Sequence, residues 1–126
     1  MGHFLLVCLG GAIGSGARFL AATGAVMLFG SDFPRGTIFV NLLGSFLLAL
    51  VMGISTSSTL ISLELRLFLG AGVMGGFTTY SSFNYETIQL AVQGSWGAAL
   101  FNVAITLSGC LLSGVAGLAL GRALAA

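Results

Sequence analysis

Apolar residues dominate four stretches of this chain, and three short polar connections separate them. A membrane-crossing helix needs about 20 mainly apolar residues, rising roughly 1.5 Å each, to cover about 30 Å of hydrocarbon. Segments at about 4–29, 37–55, 65–92 and 96–120 meet that length, so the pattern predicts an all-α membrane protein with four transmembrane helices in one domain spanning 1–126. The connections are "GSDFPRG" (30–36), with the only proline, "STSSTLISLELR" (55–66) and "QGSW" (93–96), whose Trp96 suits the lipid–water interface. The first segment lacks the basic flank of a signal peptide and three more follow it, so it is expected to stay on the mature protein. No soluble domain, linker or low-complexity tail is evident.

One place breaks the apolar pattern. In "GGFTTYSSFNYE" (75–86), Gly75 and Gly76 precede Thr78, Thr79, Tyr80, Ser81 and Ser82 in succession. Ten residues from Leu65 to Met74 rise about 15 Å, which puts Gly75 near the bilayer midplane if the helix starts at the interface. Paired glycines and threonines make a poor helix interior, so the third helix is expected to break near 75–79, at mid-membrane. Backbone released from helical bonding cannot face lipid. It must bury against protein, line water or coordinate an ion, and half-helix ends at mid-membrane recur in ion sites. The plainer alternative is a glycine kink whose hydroxyls bond back to the preceding turn.

Further polar residues fall within the spans. Arg18 lies in the first, where a fixed positive charge either lines a wet vestibule and attracts anions or pairs with Glu86. Asn41 sets one amide in an apolar face, either to donate to a passing anion or to join two helices. On the fourth span Asn102, Thr106 and Cys110 recur every fourth residue and share a face, as a path lining or as interhelical bonding. Tyr80 and Phe83, three apart, also share a face; aromatic edges are electropositive, although such pairs more often pack a core.

Composition narrows the function classes. Hydrophobic residues make up 57% of the chain and charged ones 6%, too few charges to coat a soluble fold. The net charge of +1 gives no basic footprint for nucleic acid. The chain has no lysine, hence no P-loop and no Schiff-base chemistry, and it reads as non-enzymatic. Cys8 and Cys110 sit in apolar runs and read as buried small hydrophobes; His3 reads as a surface residue. Gly10/Gly14 and Gly117/Gly121 form GxxxG pairs suited to close helix packing. Arg66 and Arg122 fall on one side of a four-span topology and Arg35 on the other. This near-balance is compatible with insertion both ways, hence with an antiparallel homodimer.

"GGFTTYSSF", with "NLLGSF" on the second helix and "GARFL" on the first, resembles the fluoride channels of the Fluc (CrcB) family. The resemblance covers essentially the whole chain. It implies a dual-topology, antiparallel homodimer in the lipid bilayer of the plasma membrane, with two fluoride pores. It also implies a structural sodium ion (Na+) at the dimer centre, held by backbone carbonyls at positions matching Gly75 and Thr78. Tyr80 and Phe83 match the aromatics whose ring edges contact fluoride, Asn41 the pore asparagine, and Arg18 the arginine near the entrance. Asn102, Thr106 and Cys110 match the fourth-helix polar track, with Thr79, Ser81 and Ser82 as further pore donors and Glu86 at the mouth. Two positions depart from the family: Tyr80 stands where phenylalanine is usual, and Cys110 ends the track in place of a stronger hydrogen-bonding group. The implied function is passive fluoride export that protects a microbe from fluoride accumulated as HF. The alternatives are a small multidrug-resistance transporter, whose family carries a first-helix glutamate that this chain lacks, and a non-transporting assembly subunit.

Overall fold

The computed structural model describes residues 1–126 and contains no strand. Helix α1 spans Gly2–Phe29, α2 spans Arg35–Ser57, α4 spans Tyr80–Val92 and α5 spans Trp96–Ala125. Between α2 and α4 lies a composite helix, α3, built from Leu63–Arg66, a π-helical stretch Leu67–Met74 and a last turn Gly75–Phe77. The chain thus forms four rods, with α3 and α4 end to end as the third. Helices α1, α2 and α5 are each long and apolar enough to cross a membrane; α3 and α4 follow one another along the third rod, separated by Thr78 and Thr79. Of 100 backbone hydrogen bonds, 88 lie within helices, so most of the backbone pairing is made inside each segment, as hydrocarbon requires.

The ends of the rods have local causes. Gly30, at φ +77°, ends α1, and the Arg35 guanidinium donates to the Phe29 carbonyl at 2.9 Å, meeting one of the acceptors a helix end leaves open. Pro34 precedes α2, where its missing N–H loses no helical bond. The Ser62 hydroxyl caps α3 by accepting from the Leu65 amide at 3.2 Å. Within the π-helical stretch the register widens, and the Gly75 amide bonds the Gly70 carbonyl five residues back. An exposed contact of 3.8 Å between His3 and Glu64 sets the start of α1 beside the start of α3.

Packing depends on backbone meeting backbone more than on large side chains. The buried hydrophobic residues are only Val40, Phe77, Phe83, Leu90 and Ala99, while the outer faces carry exposed Phe4, Leu5, Leu9, Leu111 and Leu112. Where lipid replaces water, apolar burial gives little drive for helices to associate, and close approach through small residues takes over. Gly10 and Gly14 seat α1 on α3: a Cβ on Gly10 would fall 2.5 Å from the Phe68 carbonyl oxygen, and one on Gly14 would fall against the Val73 carbonyl. Gly117 and Gly121 do the same for α5 on α2, against the Phe46 and Leu50 carbonyls, with Gly53 facing Gly121. Both GxxxG pairs are therefore occupied within the chain.

One sequence expectation is narrowed here and another is corrected. The break falls within the expected 75–79, at Thr78 and Thr79, whose backbones are extended, while Gly75 and Gly76 are helical. Gly76 is instead a contact residue, because a Cβ there would lie 2.5 Å from the Gly11 carbonyl oxygen. Cys8 is exposed on the outer face of α1 rather than buried, and Cys110 is half-buried; both are free thiols.

Filling one glycine contact should separate packing from helix propensity. Gly14→Val is expected to destabilise the protein by about 3 kcal/mol through overpacking against α3. Gly97→Ala, with nothing within 4 Å of its Cβ position, should leave thermal unfolding in detergent unchanged. Equal unfolding temperatures for the two variants would contradict this packing.

Candidate functional site

The site is built where α2 faces the gap between α3 and α4. Thr37, Asn41 and Gly44 recur along one buried face of α2. Gly44 leaves room for the break, since a Cβ there would overlap the Thr78 methyl group. Asn41 then closes on the next residue from two sides. Its Oδ1 accepts from the Thr79 amide at 2.7 Å, and its Nδ2 donates to the Thr79 carbonyl at 3.0 Å. Both Asn41 and Thr79 are buried, so removing this side chain would leave two unpaired backbone groups, each costing roughly 1–3 kcal/mol.

This pairing changes the end of α3. In an unbroken helix the Thr79 amide would bond the Gly75 carbonyl; here it goes to Asn41, and the Gly75 carbonyl loses its ordinary donor. Gly75 itself is exposed at this end. Thr78 turns back locally, its amide and hydroxyl both bonding the Met74 carbonyl at 3.0 Å. The Thr79 hydroxyl caps α4, accepting from the Ser82 amide at 3.1 Å, and lies 3.0 Å from the Ser82 hydroxyl and 3.2 Å from that of Ser81.

A groove of about 330 Å³ opens beside the break, and it gathers most of the polar positions singled out in the sequence. Asn41, Thr78, Thr79, Tyr80, Phe83, Thr106 and Cys110 line it. The Tyr80 and Phe83 rings stand 5.6 Å apart between centroids, tilted by 57°. Phe83 is packed at 7% exposure while Tyr80 is 75% exposed, so the pair presents one fixed ring and one open one. Ser81 and Ser82 do not line the groove but stand behind Thr79.

Asn102 also lies off the groove. At 1% exposure it is enclosed between α4 and α5, where its Nδ2 donates to the Thr87 hydroxyl at 2.8 Å and its Oδ1 stands 3.5 Å from the Thr106 hydroxyl. The Thr87 hydroxyl in turn donates to the Phe83 carbonyl at 2.7 Å. Thr87 and Ser45, which also borders the groove, were not singled out from sequence. Each follows a chosen residue by four, Phe83 and Asn41 respectively, and helical spacing extended by one turn would find both.

At the end of the bundle where the 30–34 and 93–95 connections meet, a second cavity of about 480 Å³ holds Glu86 together with Asp32, Arg35, Thr37, Tyr85 and Gln89. Glu86 Oε1 accepts from the Thr37 hydroxyl at 2.7 Å, and its Oε2 is buried without a partner. Arg18 is half-buried, lines neither cavity and makes no ion pair with Glu86; the only ion pair within 4.0 Å in the chain is His3–Glu64. Of the two readings of Arg18, the pairing is therefore not formed within one chain.

A clamped helix break beside a groove that gathers hydroxyls and two aromatic rings is a local arrangement, and comparison with known proteins extends over the whole length. The family model described as "CrcB-like protein, Camphor Resistance (CrcB)" matches residues 5–118. A relative from Anaeromyxobacter sp. (strain K) is 57% identical over 125 residues, covering 99% of each chain, and is named "Fluoride-specific ion channel FluC". The same name is carried by a relative from Sorangium cellulosum (strain So ce56), 51% identical over 126 residues, covering 100% of this chain and 99% of its own. It is also carried by one from Shewanella sp. (strain ANA-3), 44% identical over 111 residues, covering 88% of this chain and 89% of its own. With the helix break, its asparagine and its aromatics all inside the matched region, the chain belongs to the CrcB family.

Proposed function

We propose that this chain is a fluoride-selective ion channel of the bacterial plasma membrane, allowing passive export of fluoride and so protecting the cell against its toxicity. The observation that carries the reading is the groove beside Thr79, which collects hydroxyls, an amide and two aromatic rings in an otherwise apolar multi-pass chain. Near-full-length relatives named as fluoride-specific channels support it.

Fluoride is small and strongly hydrated, so a pore must replace its water with donors while binding weakly enough to release it. Thr79, Tyr80, Ser81, Ser82, Thr106 and Cys110 carry rotatable donors around the break, and Asn41 keeps one N–H beyond the one bonded to Thr79. Ring edges of Tyr80 and Phe83 stabilise the anion without a full opposing charge. Asn102 serves from behind the groove wall. Glu86, tied to Thr37, belongs to the vestibule, and Arg18, although it lines neither cavity of the single chain, supplies the positive charge that draws anions toward the entrance.

In this reading the break lies at mid-membrane and the working unit is an antiparallel homodimer with dual topology. The exposed Tyr80 ring and the polar Ser81 at the start of α4, within the membrane in this reading, are poorly suited to lipid and well suited to cover by a second copy. A sodium ion fits the oxygen chemistry at the end of α3, where the Gly75 carbonyl has lost its helical donor and the extended Thr78 backbone directs its own carbonyl out of the helix. Those two carbonyls would hold the ion, which when bound supplies positive charge that joins the two copies. A multidrug exporter is disfavoured because α1 carries Arg18 and no acidic residue. An assembly subunit is disfavoured because both GxxxG pairs are consumed inside the chain.

Two experiments test this. In liposomes loaded with fluoride and chloride, wild-type protein should release fluoride and retain chloride, and Phe83→Ile should slow release by roughly tenfold, the size of a lost aromatic contact. Wild-type release by the variant, or loss of both anions together, would contradict the proposal. Exchanging sodium for a large organic cation should lower the unfolding temperature of the dimer, because an ion bound only by the folded form stabilises it. An unchanged midpoint, or protein that remains monomeric in sodium, would overturn the assembly.

A further inference from the structure

We infer that Thr87 is a positioning residue for the pathway, fixing which way the Asn102 amide points and holding the turn that carries Phe83. The inference rests on the channel reading and deepens it.

A threonine hydroxyl has one hydrogen to give. At Thr87 that hydrogen goes to the Phe83 carbonyl, four residues back at 2.7 Å. Toward α5 the Thr87 oxygen is therefore an acceptor only, and the group that meets it, 2.8 Å away, must be the Nδ2 of Asn102. The opposite end of the same amide, Oδ1, is then turned along α5 toward Thr106, one helical turn on. One hydroxyl on α4 thus sets the donor–acceptor sense of a chain running Thr106, Asn102, Thr87, Phe83.

The bonds in this chain are unequal. The two that involve Thr87 are short, whereas Thr106 to Asn102 is 3.5 Å, at the limit of a hydrogen bond. Thr106 alone among the side-chain members lines the groove, so its hydroxyl is free to turn toward an ion there and back to Asn102 Oδ1 when the ion leaves. That exchange requires Oδ1, and not Nδ2, to face Thr106. With Nδ2 there, the Thr106 oxygen would accept, and its hydrogen would have no acceptor on Asn102 to return to when the ion leaves. Asn102 is enclosed at 1% exposure, so no water can compensate if Thr87 stops accepting.

Thr87→Val keeps the shape, removes the acceptor, and leaves the buried amide free to reverse. Fluoride efflux should be recorded from liposomes at low protein density, where the fraction of fluoride released counts working channels and the rate reports each one. The expected result for Thr87→Val is an unchanged fraction at a rate about tenfold lower, with Thr87→Ser, which restores the hydroxyl, returning to near the wild-type rate. A purely structural role would lower the fraction and leave the rate alone, and that outcome would overturn the inference. So would a Thr87→Val rate equal to wild type, or Thr87→Ser as slow as Thr87→Val. Wild-type protein that releases no fluoride would overturn the channel reading and the role of Thr87 together, a result distinct from any of these.

Discussion

Two peptide groups at the interruption of the third rod cannot be left to lipid, and the side-chain amide of Asn41 meets both of those at Thr79. Its acceptor takes the Thr79 N–H and its donor takes the Thr79 carbonyl, as a neighbouring strand would do for one residue. Much follows from that pairing. The Thr79 hydroxyl is placed to start α4, the Gly75 carbonyl loses its helical donor, and Tyr80 and Phe83 are delivered to the rim of the same groove. In a medium where an unpaired backbone group costs several kcal/mol, such an interruption persists only because a partner is built in across the bundle.

The glycine contacts set the distances at which this works. Gly44 admits the Thr78 methyl, so α2 lies close enough for Asn41 to reach the break. Gly10, Gly14 and Gly76 bring α1 and α3 to backbone contact, and Gly117 and Gly121 fix α5 on α2. Few large apolar side chains are buried, and the apolar surface faces outward. Stability and site geometry are thus carried by the same close approaches, and added volume at these glycines would disturb both.

The membrane character and the four rods are legible because apolar length is written along the chain, and seven chosen positions converge on one groove. The interruption falls at Thr78 and Thr79, inside the expected 75–79. Gly75 and Gly76 were weighed as weak helix formers, but Gly76 is glycine because α1 lies against it, and the extended residues are the threonines that Asn41 holds or Gly44 admits. Spacing along one helix reveals which residues share a face and says little about the helix that face meets. The Asn41–Thr79 pair, 38 residues apart, and the Asn102–Thr87 pair between α4 and α5 are for that reason visible only once the chain is folded. Cys8 illustrates the reverse limit: an apolar run identifies a buried segment in lipid as readily as one in a protein core.

The most direct test of the account is hydrogen exchange at the Thr79 amide, measured by NMR on the folded protein in detergent or bilayer discs. A clamped break predicts that this amide is protected like its helical neighbours and that Asn41→Ala releases it selectively, leaving the centre of α5 slow. A Thr79 amide that exchanges freely in the wild-type protein, or keeps its protection in Asn41→Ala, would contradict the claim that one asparagine holds the third helix open.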